Sequence, residues 1–174
     1  GLGPLLFVAL KSSRSETNGL PDRLLERLRR SYAFTLLDNK LRFATLSALL
    51  ASCNNIGVRC ILLKGCALAA TLYDDPALRM MSDLDILVFQ SNVPAVARVL
   101  EQQGFTPTDA IWDKDFVQGH MGETGFMRAG PPKAVIDLHW RMLHVPGFAR
   151  KLDVDWFHTH TRRVTVVEQA TEVL

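Results

Sequence analysis

The sequence is short of the features that would settle a class at once. It has three cysteines, Cys53, Cys60 and Cys66, an odd number in apolar surroundings with no CxxC pair. A structural disulfide is therefore not expected, and the thiols read as reduced core side chains of a cytoplasmic protein. Dense charge of one sign is missing too. The net charge is only +2, and no Lys/Arg run exceeds the patch of Arg27, Arg29 and Arg30, which reads as a solvated helix face. Charge thus gives no strong nucleic-acid signal. There is no internal repeat or low-complexity segment, and no apolar run long enough to cross a bilayer. The opening GLGPLLFVAL is too short for a span. It has no basic stretch before it and no small-residue cleavage site after it, so it is expected to join the core.

What is present describes a soluble globular protein. With 174 residues, 48% of them apolar and 22% charged, the chain can bury a sizeable core, and disorder or a fibre is excluded. Residues 11–19 are a polar connector, and Pro21 stands where a helix favours its first turn. Leu24, Leu28, Tyr32 and Leu36, then Leu41, Leu46, Leu49 and Leu50, recur at helical spacing to Ser52. One long helix is predicted, or two with a break near Asp38-Asn39. Asn54, Asn55 and Gly57 end it, and a strand at 58–63 follows.

The organising stretch runs from Cys60 to Val88. It reads as a buried strand through Ile61, Leu62 and Leu63, a Lys64-Gly65 turn, a short helix through Leu68 and Leu72, and a second strand opened by Asp83-Leu84-Asp85. Alternation puts Asp83 and Asp85 on one pleat face and Leu84 and Ile86 on the other. Two carboxylates two residues apart are separated by roughly 7 Å and repel by about 2 kcal/mol at an effective dielectric near 20. Something positive is expected between them.

Further on, Ser91 is expected to cap a helix whose apolar face is Val93, Val96, Ala97 and Leu100, closed by Gly104. Residues 105–120 show no clear period; Phe105, Trp112 and Phe116 are assigned to the core and Gly119-His120 to a turn. Strands at Thr124–Ala129 and Ala134–Met142 are predicted to form a hairpin around Gly130-Pro131-Pro132-Lys133. In the second of these, Asp137, His139 and Arg141 share one face, and Ile136, Leu138 and Trp140 the other. The tail carries Asp153, Asp155, His158 and His160 beside Trp156 and Phe157. It is read as an irregular, solvated turn packed by two aromatics, and from Val164 the chain becomes β-rich.

A glycine turn entering a helix, an Asp-x-Asp strand and a third aspartate on an adjacent strand are the parts that divalent-metal phosphoryl chemistry needs. Mg²⁺ is a hard ion held by one or two carboxylates together with substrate phosphates and waters, and three acidic groups can hold two such ions. The plain alternative is an ion-pair cluster in which Lys64 or Arg79 neutralises the pair. Arg79 could bind triphosphate or orient an aspartate by a bidentate pair, and His139 reads as hydrogen-bonded scaffold rather than a ligand.

The string LLKGCALAATLYDDPALRMMSDLDILV, followed by VIDLHWRM, resembles the uncharacterised nucleotidyltransferases of the DNA polymerase β-like nucleotidyltransferase superfamily, and the similarity covers nearly the whole chain. The resemblance matches Gly65 to the turn glycine, Asp83 and Asp85 to the metal-binding pair, and Asp137 to the third carboxylate. Lys64, Arg79, His139 and Trp140 match the family's LKG, Arg and LHW positions. Cys66 stands where the wider superfamily has Ser or Gly, so a hydroxyl contact to phosphate is not available there. Family members usually continue into further helical sequence, which implies a core cut short at its C-terminus.

The resulting expectation is an α/β (α+β) fold. A mixed, twisted sheet of about four or five strands is flanked by helices, with an N-terminal helical region at 1–57 packed on a nucleotidyltransferase-like core at 58–174. The implied function is Mg²⁺- or Mn²⁺-dependent transfer of a nucleoside monophosphate from an NTP such as ATP to an unidentified acceptor: a protein, a small molecule or RNA. Asp83, Asp85 and Asp137 would hold metal and act in catalysis, and Lys64, Gly65, Cys66 and Arg79 would bind phosphate. The alternatives are a non-catalytic nucleotide-sensing domain of the same fold, or a metal-dependent phosphohydrolase. No membrane partner is expected.

Overall fold

A computed structural model describes residues 2–13, 20–108, 121–142 and 154–174. Helix α1 (Gly3–Ser12) is followed by α2 (Asp22–Asn55), β1 (Ile61–Leu62), α3 (Lys64–Thr71) and β2 (Leu84–Leu87). Then come α4 (Val93–Gln102), β3 (Thr106–Pro107), the hairpin of β4 (Glu123–Arg128) and β5 (Ala134–His139), a short α5 (Val154–Thr159), and the hairpin of β6 (Arg162–Val166) and β7 (Gln169–Val173). The strands form one seven-stranded sheet in the order β3-β4-β5-β2-β1-β7-β6. β2–β5 and β1–β7 are parallel, and the other neighbours are antiparallel. The fold is thus α+β with a mixed sheet.

The sheet exceeds the expected four or five strands because β3 is only two residues long and because the β-rich tail docks against β1 as β7. The alternation read from the sequence sets the two faces. Leu84, Ile86 and Val88 of the β2 segment, with Ile136, Leu138 and Trp140 of the β5 segment, enter the main core, joined by Leu46, Leu49 and Leu50 of α2 and Val96 and Leu100 of α4. On the opposite face Ile61, Leu63 and Leu87 form a smaller apolar cluster with Met142 and Phe157 packed on it. The polar side chains of β2 and β5 share that second face.

Helix α2 is a single unbroken rod of 34 residues, about 51 Å long at 1.5 Å per residue. It passes Asp38-Asn39 without a break because neither side chain competes with the helix backbone. Asp38 pairs with Arg42 at 3.0 Å. The buried Asn39 donates to the carbonyls of Pro76 and, at 2.6 Å, Arg79.

Several local expectations are corrected. The opening decamer is not core: it is α1, started by Pro4. It lies on α2 through Phe7 against Tyr32 at 5.2 Å, with Leu2, Leu5 and Leu6 exposed. Ser91 is not the cap of α4; it lies in a 3₁₀ turn, Gln90–Asn92, that leads into the helix at Val93. Gly104, with φ of +82°, does close it. The tail is not an irregular solvated turn: 154–159 is helical, and His158 is buried and stacks on Phe89 at 3.6 Å. Trp112, Phe116, Gly119-His120 and Asp153 lie outside the described residues. Cys53, Cys60 and Cys66 are buried and free. No described helix is long and apolar enough to cross a membrane.

Candidate active site

The site is built where β1 stops. The Leu63 N–H donates to the carbonyl of Asp85 at 3.0 Å, and the next residue, Lys64, swings to φ of +48°. A side chain in this left-handed region carries about 1–2 kcal/mol of strain. The sharp turn drops the chain straight into α3 and aims the Lys64 ammonium at Asp85, Nζ to Oδ1 2.6 Å. The positive φ therefore falls on the lysine, and Gly65 is already the second residue of the helix. Gly65 is buried there, and a Cβ on it would make only ordinary contacts, 3.5 Å from Met81 and 3.8 Å from the Arg79 guanidinium.

Parallel pairing of β2 with β5 sets Asp85 beside Asp137 and Leu87 beside His139, with neighbouring strands about 4.8 Å apart. Antiparallel pairing of β5 with β4 sets Gly125 opposite Asp137 and Glu123 opposite His139. A Cβ on Gly125 would stand 2.5 Å from Thr108 Oγ1, so a side chain there displaces Thr108, and at an ordinary 3.5 Å from Asp137 Oδ1. His139, buried like Asp85, bridges two acids, with Nε2 2.9 Å from Asp85 Oδ1 and Nδ1 2.8 Å from Glu123 Oε2.

The carboxylates differ in character. Burial disfavours the charged form of Asp85, but hydrogen bonds and charge from His139 and Lys64 outweigh it and hold this carboxyl below its ordinary range. Asp137 is pushed up, first by burial and then by the charges of Asp85, Asp83 and Glu123, with His139 opposing. The Lys64 ammonium is partly desolvated, yet Asp85, helped by Glu123 and Asp137, keeps it above its ordinary value. Asp83 stands at the bend just before β2, half-buried, and accepts from Ser82 Oγ at 3.0 Å. That bend is braced from α2: Arg42 donates to the Ser82 carbonyl at 2.7 Å.

Of the residues singled out from sequence, Lys64, Asp85 and Asp137 converge with His139, and Asp83 adds its charge to the same group. Gly65 and Arg79 adjoin it at the start of α3. The bidentate Arg79–aspartate alternative is not formed: the guanidinium donates to the Met80 carbonyl at 3.1 Å and makes no ion pair among the described residues. The Cys66 thiol faces the core, donating to the carbonyls of Leu63 at 3.0 Å and Asp85 at 3.3 Å, and burial pushes it up to about 11. Its side chain is therefore not a phosphate contact, and only the backbone N–H groups of that helical turn remain for one. Asp155, His158 and His160 do not gather. His158 is buried, while His160 stacks on the exposed Trp156 at 4.2 Å.

Glu123 was missed. Its place follows from the hairpin register, which pairs Arg128 with Ala134 across residues 129–133 and hence Glu123 with His139, whereas counting outward from a Gly130–Lys133 loop starts at Ala129 and sets Glu123 opposite Trp140.

Carboxylates gathered on one sheet face beside a helix start are a hard-oxygen donor set, the chemistry a divalent cation of the Mg²⁺ type selects. As placed, no group of three or more His, Cys, Asp or Glu side chains among the described residues closes into a ligand cage, and Asp85 Oδ1 is shared by Lys64 and His139. The donor types fit such a cation, while the Lys64 ammonium takes up one carboxylate oxygen of the set. Beside Lys64 and His139 lies a cavity of about 300 Å³ with a mainly apolar lining from Leu62, Leu63, Ala67 and Leu68.

The sequence model of a family described as "Uncharacterised nucleotidyltransferase" matches residues 1–174. No curated protein matches the chain. Among solved structures the chain is similar to the crystal structure of an antigenic nucleotidyltransferase-like protein from Paracoccidioides brasiliensis, at 14% identity and a TM-score of 0.47 over 78% of this chain. It spans 61% of that protein's length.

Proposed function

The chain belongs to this family of uncharacterised nucleotidyltransferases, and on that premise we propose that it transfers a nucleoside monophosphate from an NTP to an acceptor at the β1–α3 turn. The observation that carries the reading is the register that makes Asp85 and Asp137 neighbours on one sheet face, with Lys64 meeting Asp85. Asp83, Asp85 and Asp137 would hold Mg²⁺ or Mn²⁺, which when bound neutralises charge on the reacting phosphates. Lys64, released from Asp85, and Arg79 bind phosphate oxygens at the N-terminus of α3, where backbone N–H groups also point outward. Glu123 and His139 hold Asp85 in one orientation. Asp137, the carboxyl raised above its ordinary range, takes the proton from the acceptor hydroxyl. The apolar cavity beside Lys64 is of the size class that takes a small ligand and receives the base or the acceptor.

A second reading is favoured by the Lys64–Asp85 contact itself: a nucleotide-binding domain whose acid cluster is neutralised internally and which catalyses nothing. Incubation with Mg²⁺ and α-labelled NTPs in the presence of candidate acceptors separates the two. Label carried onto an acceptor with pyrophosphate release supports transfer, binding without turnover supports the second reading, and free NMP indicates a hydrolase. In parallel, thermal shifts with Mg²⁺ and each NTP should vanish in Asp83→Asn/Asp85→Asn. A ligand response unchanged by those substitutions would sink the assignment of the site.

A further inference from the structure

Helix α2 has a second face that nothing covers among the described residues. Phe34, Leu37 and Leu41 are 70%, 60% and 42% exposed, and Ala44 and Ala48 continue the same line in the open. The steps between them are three, four, three and four residues, the spacing of a coiled-coil seam. Towards the N-terminus the line is prolonged by Arg30, Arg27 and Arg23, all exposed. The buried residues of α2, among them Phe43, Leu46, Leu49 and Leu50, lie on other sides of the helix.

We propose that this stripe is the contact between two copies of the chain, packed through α2 in antiparallel orientation. Two complementarities select that partner. The stripe is bulky at one end and small at the other. A two-fold axis near Leu41–Ala44 therefore sets Phe34, Leu37 and Leu41 against the partner's Ala51, Ala48 and Ala44, filling each gap with a large side chain. A parallel pair would oppose Phe34 to Phe34 and leave alanine facing alanine. The second complementarity is electrostatic. The last turn of α2 carries no basic residue, so its carbonyl end, the negative pole of a long helix, has no counter-charge of its own. The antiparallel arrangement lays Arg30 of one copy, which also pairs with its own Glu26 at 2.7 Å, beside Asn55 at that end of the other, with Arg27 just beyond it, whereas a parallel one would bring the arginines of the two copies together. Asn39 and Arg42, which brace the segment from Pro76 to Ser82 below the site, belong to this same helix, so the contact stiffens the rod that holds Asp83 in place.

The test is the mass of the full 174-residue chain by sedimentation equilibrium across the micromolar range, with helicity checked by circular dichroism. The wild type is expected at twice the chain mass. Leu37→Glu/Leu41→Glu, at exposed positions that the fold does not use, is expected at the mass of one chain with unchanged helicity. Orientation is read by mixing Phe34→Cys with Ala51→Cys under mild oxidant, where a cross-link between the two different variants is expected. A wild type that stays a single chain leaves the stripe to some other occupant and overturns the proposal. So does a dimer that survives the double glutamate, or cross-linking of each variant to itself alone.

Discussion

Asp85 and Asp137 are neighbours in register, yet removing their charges should move stability in opposite directions. The Asp85 side chain is 3% exposed and accepts from both Lys64 and His139. A hydrogen bond to a charged partner contributes about 1.5–3 kcal/mol when buried, whereas the Lys64 contact, with 60% of that side chain in solvent, contributes under about 1 kcal/mol. Asp85→Asn in metal-free buffer at pH 7 should therefore destabilise by about 2–3 kcal/mol, roughly 5–10 °C in Tm for a chain of this size. Among the described residues Asp137 makes no such hydrogen bond, and it faces the charges of Asp85, Asp83 and Glu123, with His139 opposing. Two carboxylates about 5 Å apart repel by about 3 kcal/mol at a dielectric near 20; Lys64 and His139 cancel most of the Asp85 share. Asp137→Asn should then stabilise by about 1 kcal/mol, roughly 2–4 °C.

The pH dependence separates the two carboxylates further. Asp85 is held below its ordinary 3.8, so its contribution is present above that value and is lost as pH falls through the lowered one. Asp137 is held above 3.8, so its penalty exists at pH 7 and fades as pH falls through the raised value. The advantage of Asp137→Asn fades with it. Thermal unfolding followed by circular dichroism with EDTA, at neutral and acid pH, measures both. Two substitutions of the same sign would refute the electrostatic reading of the site: both stabilising means Lys64 and His139 do not hold Asp85, and both destabilising means Asp137 is held by partners rather than repelled.

Two further predictions concern the rest of the chain. The β6–β7 hairpin turns on Val167 and Glu168, both at positive φ, 45° and 67°, where a β-branched residue is strained and Asn-Gly is preferred; Val167→Asn/Glu168→Gly should raise stability by about 1–2 kcal/mol in urea titration, and no gain would show that the turn relaxes. His158 is buried with neither ring nitrogen hydrogen-bonded among the described residues, and burial, then the charge of Arg59, holds it below its ordinary 6.5 against the opposing charges of Asp155 and Glu172. The unfolded chain thus takes up a proton more readily and stability falls as pH drops below 6.5. His158→Phe keeps the ring stack on Phe89, should gain about 1–3 kcal/mol and should flatten that slope, and a variant of unchanged slope would show the protonation lies elsewhere.

The two faces of β2 and β5 were legible because a strand that packs a core on one side writes itself as alternation: Leu84, Ile86, Ile136 and Leu138 inward, Asp85, Asp137 and His139 outward. The long helix was legible from its period, though not its continuity, since Asn39 reads locally as a breaker and only the distant carbonyls of Pro76 and Arg79 explain why it is not one. Glu123 escaped because its role comes from strand pairing, which no single stretch displays. The turn residue was placed one position late: glycine is the usual occupant of a left-handed position, but here Asp85 holds the ammonium of Lys64 and the lysine takes the strain. The buried His158 escaped because a histidine among aromatics and acids reads as solvated until the Phe89 ring is seen lying over it.

Strand β1 is two residues long and sits between β2, which follows within one short helix, and β7, whose Glu172 and Val173 pair with Ile61 and Leu62 from more than a hundred residues away. On a ribosome the two hairpins can close as soon as they emerge, since their partners are adjacent in sequence. The middle of the sheet cannot. Ile61 and Leu62 keep one hydrogen-bonding edge bare while the next hundred residues are made, and only the arrival of residues 169–173 covers it. Until then the nascent chain presents an apolar strand edge of the kind that recruits strangers, so the strand that delivers Lys64 to the acidic site waits for a partner more than a hundred residues further on.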